Sequence, residues 1–362
     1  MRPAERIRKQ LSAIGITREI DESELAACAT SVILLRGDAV LDQPLIPVLV
    51  SGPDFILQES AGGAVLAART SRENVQQAYN VMLGKCQPLS AGLPVKSPAD
   101  IDVRFWKALR KRETPYAMQI TAQNMAAVEW RMFMGTYKGA TDLVTKHVWP
   151  VPAFYATRWL ASAGVTPNMV TSVGAIATVL AFYLFLQGYF LAGLAAAWCM
   201  TYLDTVDGKL ARTTLTSTKW GDVFDHGIDL VHPPFWYIAW AIGVERAGIP
   251  WPDHMFWLLT GIILGGYVVQ RLMEGIAIKW LGLEIHIWRR IDTFFRQITA
   301  RRNPNMLILT FFALVARPDW GLIGVAAWTA ICLVLHGAQL AQALVAKRKA
   351  GSAGLQSWMS QS

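Results

Sequence analysis

Four aspartates stand between residues 204 and 229. They are Asp204 and Asp207, followed by Gly208, Ala211 and Arg212, and then Gly221, Asp225 and Asp229. The pattern is D-x2-D-G-x2-A-R-x8-G-x3-D-x3-D. Asp204, Asp207 and Ala211 repeat at i, i+3 and i+7, so they share one face of a helix. Gly221, Asp225 and Asp229 repeat at i, i+4 and i+8 and share a face of the next. Two faces with such short side chains can pack closely and bring the carboxylates together. Clustered anions repel in a partly dehydrated site, and one or two divalent cations remove that cost. Oxygen-only donors favour Mg2+, with Mn2+ as the close substitute. Gly208 and Gly221 leave room for a ligand to approach backbone, Ala211 keeps the wall thin, and Arg212 offers a planar fork for a phosphate. Taken singly, an aspartate can cap a helix, and Gly and Ala serve close helix packing. Eight fixed positions in so short a window point instead to a metal-dependent enzyme.

The elements around this motif place it in a membrane. The chain has 362 residues, 53% hydrophobic and only 17% charged, with 15 Trp and a net charge of +8. Length alone suggests two domains. Apolar residues concentrate after residue 165, in runs that approach the ~20 residues a bilayer requires. The sequence reads as six spans, about 168–188, 189–208, 222–243, 254–273, 303–318 and 320–345. The fifth is the weakest, because its apolar part is short. Carboxylates at the ends of such spans are expensive and demand a partner. Among loop charges, only Arg246 and Arg317 fall opposite the amino terminus. Lys209, Arg212, Lys219, the cluster from Arg271 to Arg302 and the basic run Lys347 to Lys349 fall on the other side. The positive-inside rule then sets both termini and the acidic motif at the cytoplasmic face of an inner membrane. The basic balance fits anionic lipid. No aromatic-studded basic stripe indicates a nucleic-acid partner.

Cys28, Cys86, Cys199 and Cys332 show no C-x-x-C spacing and read as small hydrophobes in a reducing compartment. No signal peptide is visible at the amino terminus. Residues 1–115 mix helices and strands, which predicts a cytoplasmic α/β domain. Helices are expected over 5–15, from Ser71 to about Leu83 with Ser71 as cap, and from Ser97-Pro98 to about Arg110. Strands are expected at 31–36, 46–50, 54–58 and 63–68. Residues 116–165 read as a linker with a juxtamembrane amphipathic helix over Val148 to Ala161, carrying Trp149, Phe154, Tyr155 and Trp159. Residues 166–346 form the six-span domain and 347–362 a cytoplasmic tail. Trp236, Tyr237, Trp251, Trp257 and Trp320 read as an interfacial belt. Arg271 and Glu274 are placed to pair.

Two resemblances follow from these residues. The stretch Ile33 to Asp38, with Leu41-Asp42-Gln43-Pro44-Leu45, resembles the mid-domain strand of sugar-phosphate nucleotidyltransferases. That family needs a Gly-rich phosphate loop after its first strand, which would precede the helix at 5–15. The expectation is a degenerate or truncated domain without nucleotidyl transfer. The acidic motif, with the Thr166-Pro167-Asn168 before the first span, resembles the CDP-alcohol phosphotransferase family at every motif position. The resemblance implies an all-α, six-helix membrane fold, a homodimer, and transfer of a substituted phosphate from a CDP-linked lipid to an alcohol, releasing CMP. It implies that Asp204, Asp207 and Asp225 hold the metal with Asp229 adding to the shell. It also implies that Asp229 is the general base and that Gly208, Ala211, Arg212 and Gly221 contact the CDP moiety. Arg289, Arg296, Arg301 and Arg302 are candidates for the phosphate of an acceptor such as inositol phosphate or glycerol phosphate, or for anchorage to anionic lipid. Intramembrane carboxylates also mark transporters and ion relays, but here they sit at one face and no inverted repeat is evident. An inactive scaffold is the third reading, against which the intact motif stands.

Overall fold

A computed structural model describes residues 2–25, 30–351 and 354–361. The chain forms two compact units, Met1–Tyr137 with Thr213–Leu215, and Lys138–Arg212 with Thr216–Ser362.

The first unit is α/β. Its elements are α1 (Pro3–Ser12), α2 (Glu22–Leu25), β1 (Val32–Leu35), β2 (Ala39–Leu41), α3 (Leu45–Ser51), β3 (Phe55–Gln58), β4 (Val65–Thr70), α4 (Val75–Met82), β5 (Val95–Lys96), β6 (Phe105–Trp106), β7 (Lys111–Arg112), β8 (Ala117–Gln119) and α5 (Met125–Gly135). A four-stranded sheet runs in the order β1-β4-β3-β5, antiparallel except for β3 with β5. Side-chain alternation gives that sheet two buried faces. Phe55 and Leu57 pack with Ile7 of α1 and Leu45, Ile46 and Leu49 of α3. Ile56 and Ala68 pack with Ala78 and Val81 of α4. β2 pairs with β8, so the unit continues past residue 115.

Three expectations are corrected here. Residues 46–50 form helix α3, not a strand. Pro44 and Pro47 suit a first helical turn, and the buried set Leu45, Ile46 and Leu49 follows helical spacing. The helix expected over 97–110 is a single 3-10 turn, Pro98–Asp100, held by a Ser97–Asp100 capping box, after which the chain enters β6 and β7. Ser71 makes no side-chain cap. Its N–H donates to Asp54 at 2.6 Å instead. Asp38 is held by both arms of Arg36 at 2.9 Å and by Gln119 at 2.8 Å. Arg36 first, then Gln119, hold its carboxyl down at about 2. Cys28 lies outside the described residues, Cys86 and Cys199 are exposed, and Cys332 is buried.

Burial pushes the Asp42 carboxyl up to about 6, against the pull of Lys111. An unfolded Asp titrates near ~3.9. Below pH ~4 both states are protonated and Asp42 costs nothing. As pH rises towards 6 the unfolded chain releases the proton first, so stability is lost, by up to roughly 3 kcal/mol. Asp42→Asn is expected to flatten this slope. Hydrogen exchange of the β2 and β8 amides between pH 4 and 6 would measure it.

The second unit is helical: α6 (Leu143–His147), α7 (Pro150–Ser162), α8 (Pro167–Leu186), α9 (Phe190–Thr214), α10 (Lys219–Arg246), α11 (Met255–Ile276), α12 (Arg290–Phe295), α13 (Arg302–Leu314) and α14 (Pro318–Ala350). Helices therefore stand at all six places read as spans. Among the described residues, three stretches are long and apolar enough to cross a membrane: Pro167–Leu186, Met255–Leu281 and Pro318–Ala350. α9 and α10 are long but carry the acids. α13 has 13 residues, only ~20 Å at helical rise. On α7, Val151, Tyr155 and Trp159 are exposed along one stripe.

Trp236 and Tyr237 are core residues rather than belt residues. Each is buried and has its polar atom satisfied, Trp236 donating to the Thr178 carbonyl at 3.0 Å and Tyr237 accepting from Asn305 at 2.8 Å. Trp257 and Trp320 are exposed. α8 crosses α10 where a Cβ on Gly243 would come within 1.9 Å of the Phe185 carbonyl oxygen, so only glycine permits that approach. Phe185 packs its ring on Trp236 and Trp240 there. This crossing joins the carboxyl-terminal ends of α8 and α10, whose first turns meet separately at Asn168 and Gly221.

Candidate active site

α8 begins with Thr166 as cap, its hydroxyl accepting from the Met169 N–H, and Pro167 in the first turn. Thr218 caps α10 and accepts from the Gly221 N–H at 3.0 Å. These caps orient the first turns of both helices toward the end of α9. Asp207, Gly208 and Ala211 of α9, Gly221 and Asp225 of α10, and Asn168 and Thr171 of α8 line one cleft. A Cβ on Gly221 would lie 2.8 Å from Asn168 Oδ1, and one on Gly208 would lie 3.0 Å from Arg212 Nη2. Both glycines are therefore sites of close approach, and Arg212 lies over Gly208.

Asp204, Asp207 and Asp225 each offer an oxygen, and these oxygens all lie within 4.8 Å of one another. Asp207 is buried. Thr171 donates to its Oδ2, while its Oδ1 is buried without a hydrogen-bond partner. Three hard oxygens at this separation, with an unpartnered oxygen on one of the three carboxylates, suit a divalent cation of the Mg2+ or Mn2+ type. The residues present fit such an ion.

Asp229 stands outside that trio. Arg302, at the start of α13, reaches across with both arms. Nη1 donates to Asp229 Oδ1 and Nη2 to Asp204 Oδ2. Two of the other candidate arginines, Arg289 and Arg301, are held elsewhere. Arg289 makes a two-armed pair with Asp292 at 2.9 and 3.0 Å and a bond to Gln342 at 2.8 Å. Arg301 pairs with Glu274, which also takes Arg271 at 3.2 Å as the sequence spacing implied, and His286 at 3.1 Å. Burial pushes His286 down to about 3, with Arg301 and Arg296 opposing its charge further. It is therefore neutral at pH 7.

One contributor is absent from the sequence reading: Thr171, which fixes an oxygen of Asp207 and whose signal is its place four residues after Pro167. Asn168, quoted there in the Thr-Pro-Asn motif, sits against Gly221. Arg302, grouped there with its neighbours as a phosphate candidate, joins two motif carboxylates.

Residues 164–301 match the family model described as CDP-alcohol phosphatidyltransferase. It is similar to an archaetidylinositol phosphate synthase of Pyrococcus horikoshii, 46% identical over 109 residues, covering 30% of this chain and 55% of the relative. It is also similar to phosphatidylinositol phosphate synthases of Mycobacteroides abscessus (33% over 106 residues, 29% and 44%) and Mycobacterium tuberculosis (36% over 75 residues, 20% and 35%). The chain thus spans about half, or less, of the length of these relatives.

Proposed function

We propose that this chain, with its CDP-alcohol phosphatidyltransferase domain, transfers a substituted phosphate from a CDP-linked lipid to an alcohol and releases CMP. The observation that carries the reading is the carboxylate trio Asp204, Asp207 and Asp225, two of which, Asp207 and Asp225, line a cleft with Gly208, Ala211 and Gly221. The names of the relatives support a phosphorylated polyol, inositol phosphate, as acceptor. The reaction belongs to phospholipid synthesis in a membrane.

In this reading Asp204, Asp207 and Asp225 hold a divalent ion, Mg2+ or Mn2+. When bound, such an ion neutralises the diphosphate and the departing CMP. Gly208 and Gly221 let the CDP moiety lie against backbone, Ala211 keeps the wall low, and Arg212 meets a phosphate. Asp229 takes the proton of the acceptor hydroxyl. The acceptor oxygen bonds to the lipid-bearing phosphorus as the bond from that phosphorus to the bridging oxygen breaks, and the electron pair leaves with CMP. The acceptor phosphate meets the arginines around the start of α13, Arg289, Arg296, Arg301 and Arg302, of which Arg302 touches the motif. Six helices span the bilayer, with the motif and both termini at the cytoplasmic face, and two copies assemble as a homodimer. The domain order follows the sequence reading, with a degenerate nucleotidyltransferase-like domain that extends past residue 115 through β8, a linker to 165, the catalytic domain to 346, and a tail.

The test is CMP release by purified protein from CDP-diacylglycerol and related CDP-lipids, with inositol phosphate, glycerol phosphate, inositol and serine as acceptors. Release that needs both Mg2+ and one of these acceptors, and that stops with a chelator, is the expected result. No release with any pair would sink the reading.

A further inference from the structure

Arg302, proposed above to meet the acceptor phosphate, is committed in this structure to two carboxylates of the motif. Its guanidinium bridges Asp204 on α9 and Asp229 on α10. Its side chain is 15% exposed and Asp204's is 20%, so water screens the pair little. A cation at this point neutralises the same carboxylate, Asp204, that also belongs to the trio. An oxygen accepting a charge-assisted bond from a guanidinium has less charge to offer an ion. The two cations therefore compete.

We infer that Arg302 is an internal counter-ion exchanged on ion binding, and a positioning residue for the anionic acceptor. This rests on the metal-dependent reading above. With no divalent ion, the fork holds Asp204 and Asp229 together and offsets their mutual repulsion. When an ion takes Asp204, the Nη2 arm loses its partner. A guanidinium with a freed arm beside the base is placed for an incoming phosphate, while its Nη1 arm keeps Asp229 oriented. Ion and anionic acceptor then favour one another. Linkage makes that coupling reciprocal, typically ~5- to 150-fold. A free hydroxyl acceptor without an anionic group gains nothing from it.

The exchange predicts binding behaviour that does not depend on turnover. Mn2+ affinity of the purified full-length protein is measured from the spin-resonance signal of free Mn2+, for the wild type, Arg302→Lys and Arg302→Met. Each is measured with and without inositol phosphate. Lysine keeps the charge but replaces the planar two-armed fork with a single ammonium, which holds the two carboxylates less well. Arg302→Lys is expected to bind Mn2+ about tenfold more tightly than the wild type, a value within the usual range of such couplings. Inositol phosphate is expected to tighten Mn2+ binding several-fold in the wild type and little in either variant, after subtraction of its own Mn2+ affinity. Arg302→Met leaves two acids without their counter-ion and can fail to fold, and the lysine variant decides the matter alone. Equal Mn2+ affinity in the wild type and Arg302→Lys would overturn the exchange, as would equal tightening by inositol phosphate in both. If no form binds Mn2+ and Asp207→Asn changes nothing, the metal reading itself falls, and this inference with it.

Discussion

Asp207→Asn is expected to make the metal-free protein more stable while cutting CMP release about a thousandfold. Both signs come from the same geometry. Asp204, Asp207 and Asp225 place oxygens within 4.8 Å of one another, and Asp207 is buried. At that distance two like charges near a protein surface repel by on the order of 1–3 kcal/mol after partial screening. An amide is nearly the same shape, still accepts from the Thr171 hydroxyl through its oxygen, and carries no charge. Thermal unfolding in detergent with a chelator present should therefore move up by a few degrees, at ~2–4 °C per kcal/mol for a domain of this size. Metal removal has the matching effect. Added Mg2+ should raise the unfolding temperature of the wild type and leave Asp207→Asn unmoved. Loss of one ligand removes several kcal/mol of charge stabilisation at the reacting phosphate, and ~4 kcal/mol is a thousandfold in rate. A variant that is less stable than the wild type without metal would show that Asp207 serves the fold rather than an ion.

The opposition between stability and function explains why the motif was legible in the sequence. Structural residues are chosen by packing, and packing tolerates substitution. Four acids in a nearly apolar region have no packing rationale, so their spacing on two helix faces reports chemistry directly. Helices at the six places read as spans were likewise legible, most directly the three whose apolar runs are long enough to leave few alternatives. Legibility failed where tertiary partners decide. Trp236 and Tyr237 resemble belt residues by composition, but Thr178 and Asn305 satisfy them inside the bundle. In the first unit, the run 45–51 is apolar enough for either strand or helix, and length alone could not arbitrate.

Arg302 is the clearest case of what spacing cannot report. It lies 98 residues from Asp204 and 73 from Asp229 in the chain, and four neighbouring cations gave it no distinguishing mark. Thr171 is 36 residues from Asp207, and a threonine in an apolar helix more often bonds its own preceding turn. It does that as well, to the Pro167 carbonyl at 3.1 Å. Side chains that position the motif thus looked like ordinary helix residues until the helices were packed together.

Asp229→Asn separates the base from the metal ligands. If Asp229 takes the acceptor's proton, kcat should fall by about 10²- to 10⁴-fold. KM for the CDP-lipid should stay near its wild-type value, and Mn2+ affinity should change little. The geometry motivates this split, because Asp229 lies outside the trio and is held by Arg302. An asparagine there still accepts one bond from Arg302 but cannot carry away a proton. The defect should also depend on the acceptor. A hydroxyl made more acidic by a neighbouring electron-withdrawing group needs less help from a base, so the variant should lose less rate with such an acceptor than with a plain polyol phosphate. A metal ligand would behave otherwise. Its loss would weaken Mn2+ binding as Asp207→Asn does, and the deficit would be the same for every acceptor. Measuring kcat across acceptors of graded acidity, beside Mn2+ affinity, therefore assigns Asp229 to one role or the other.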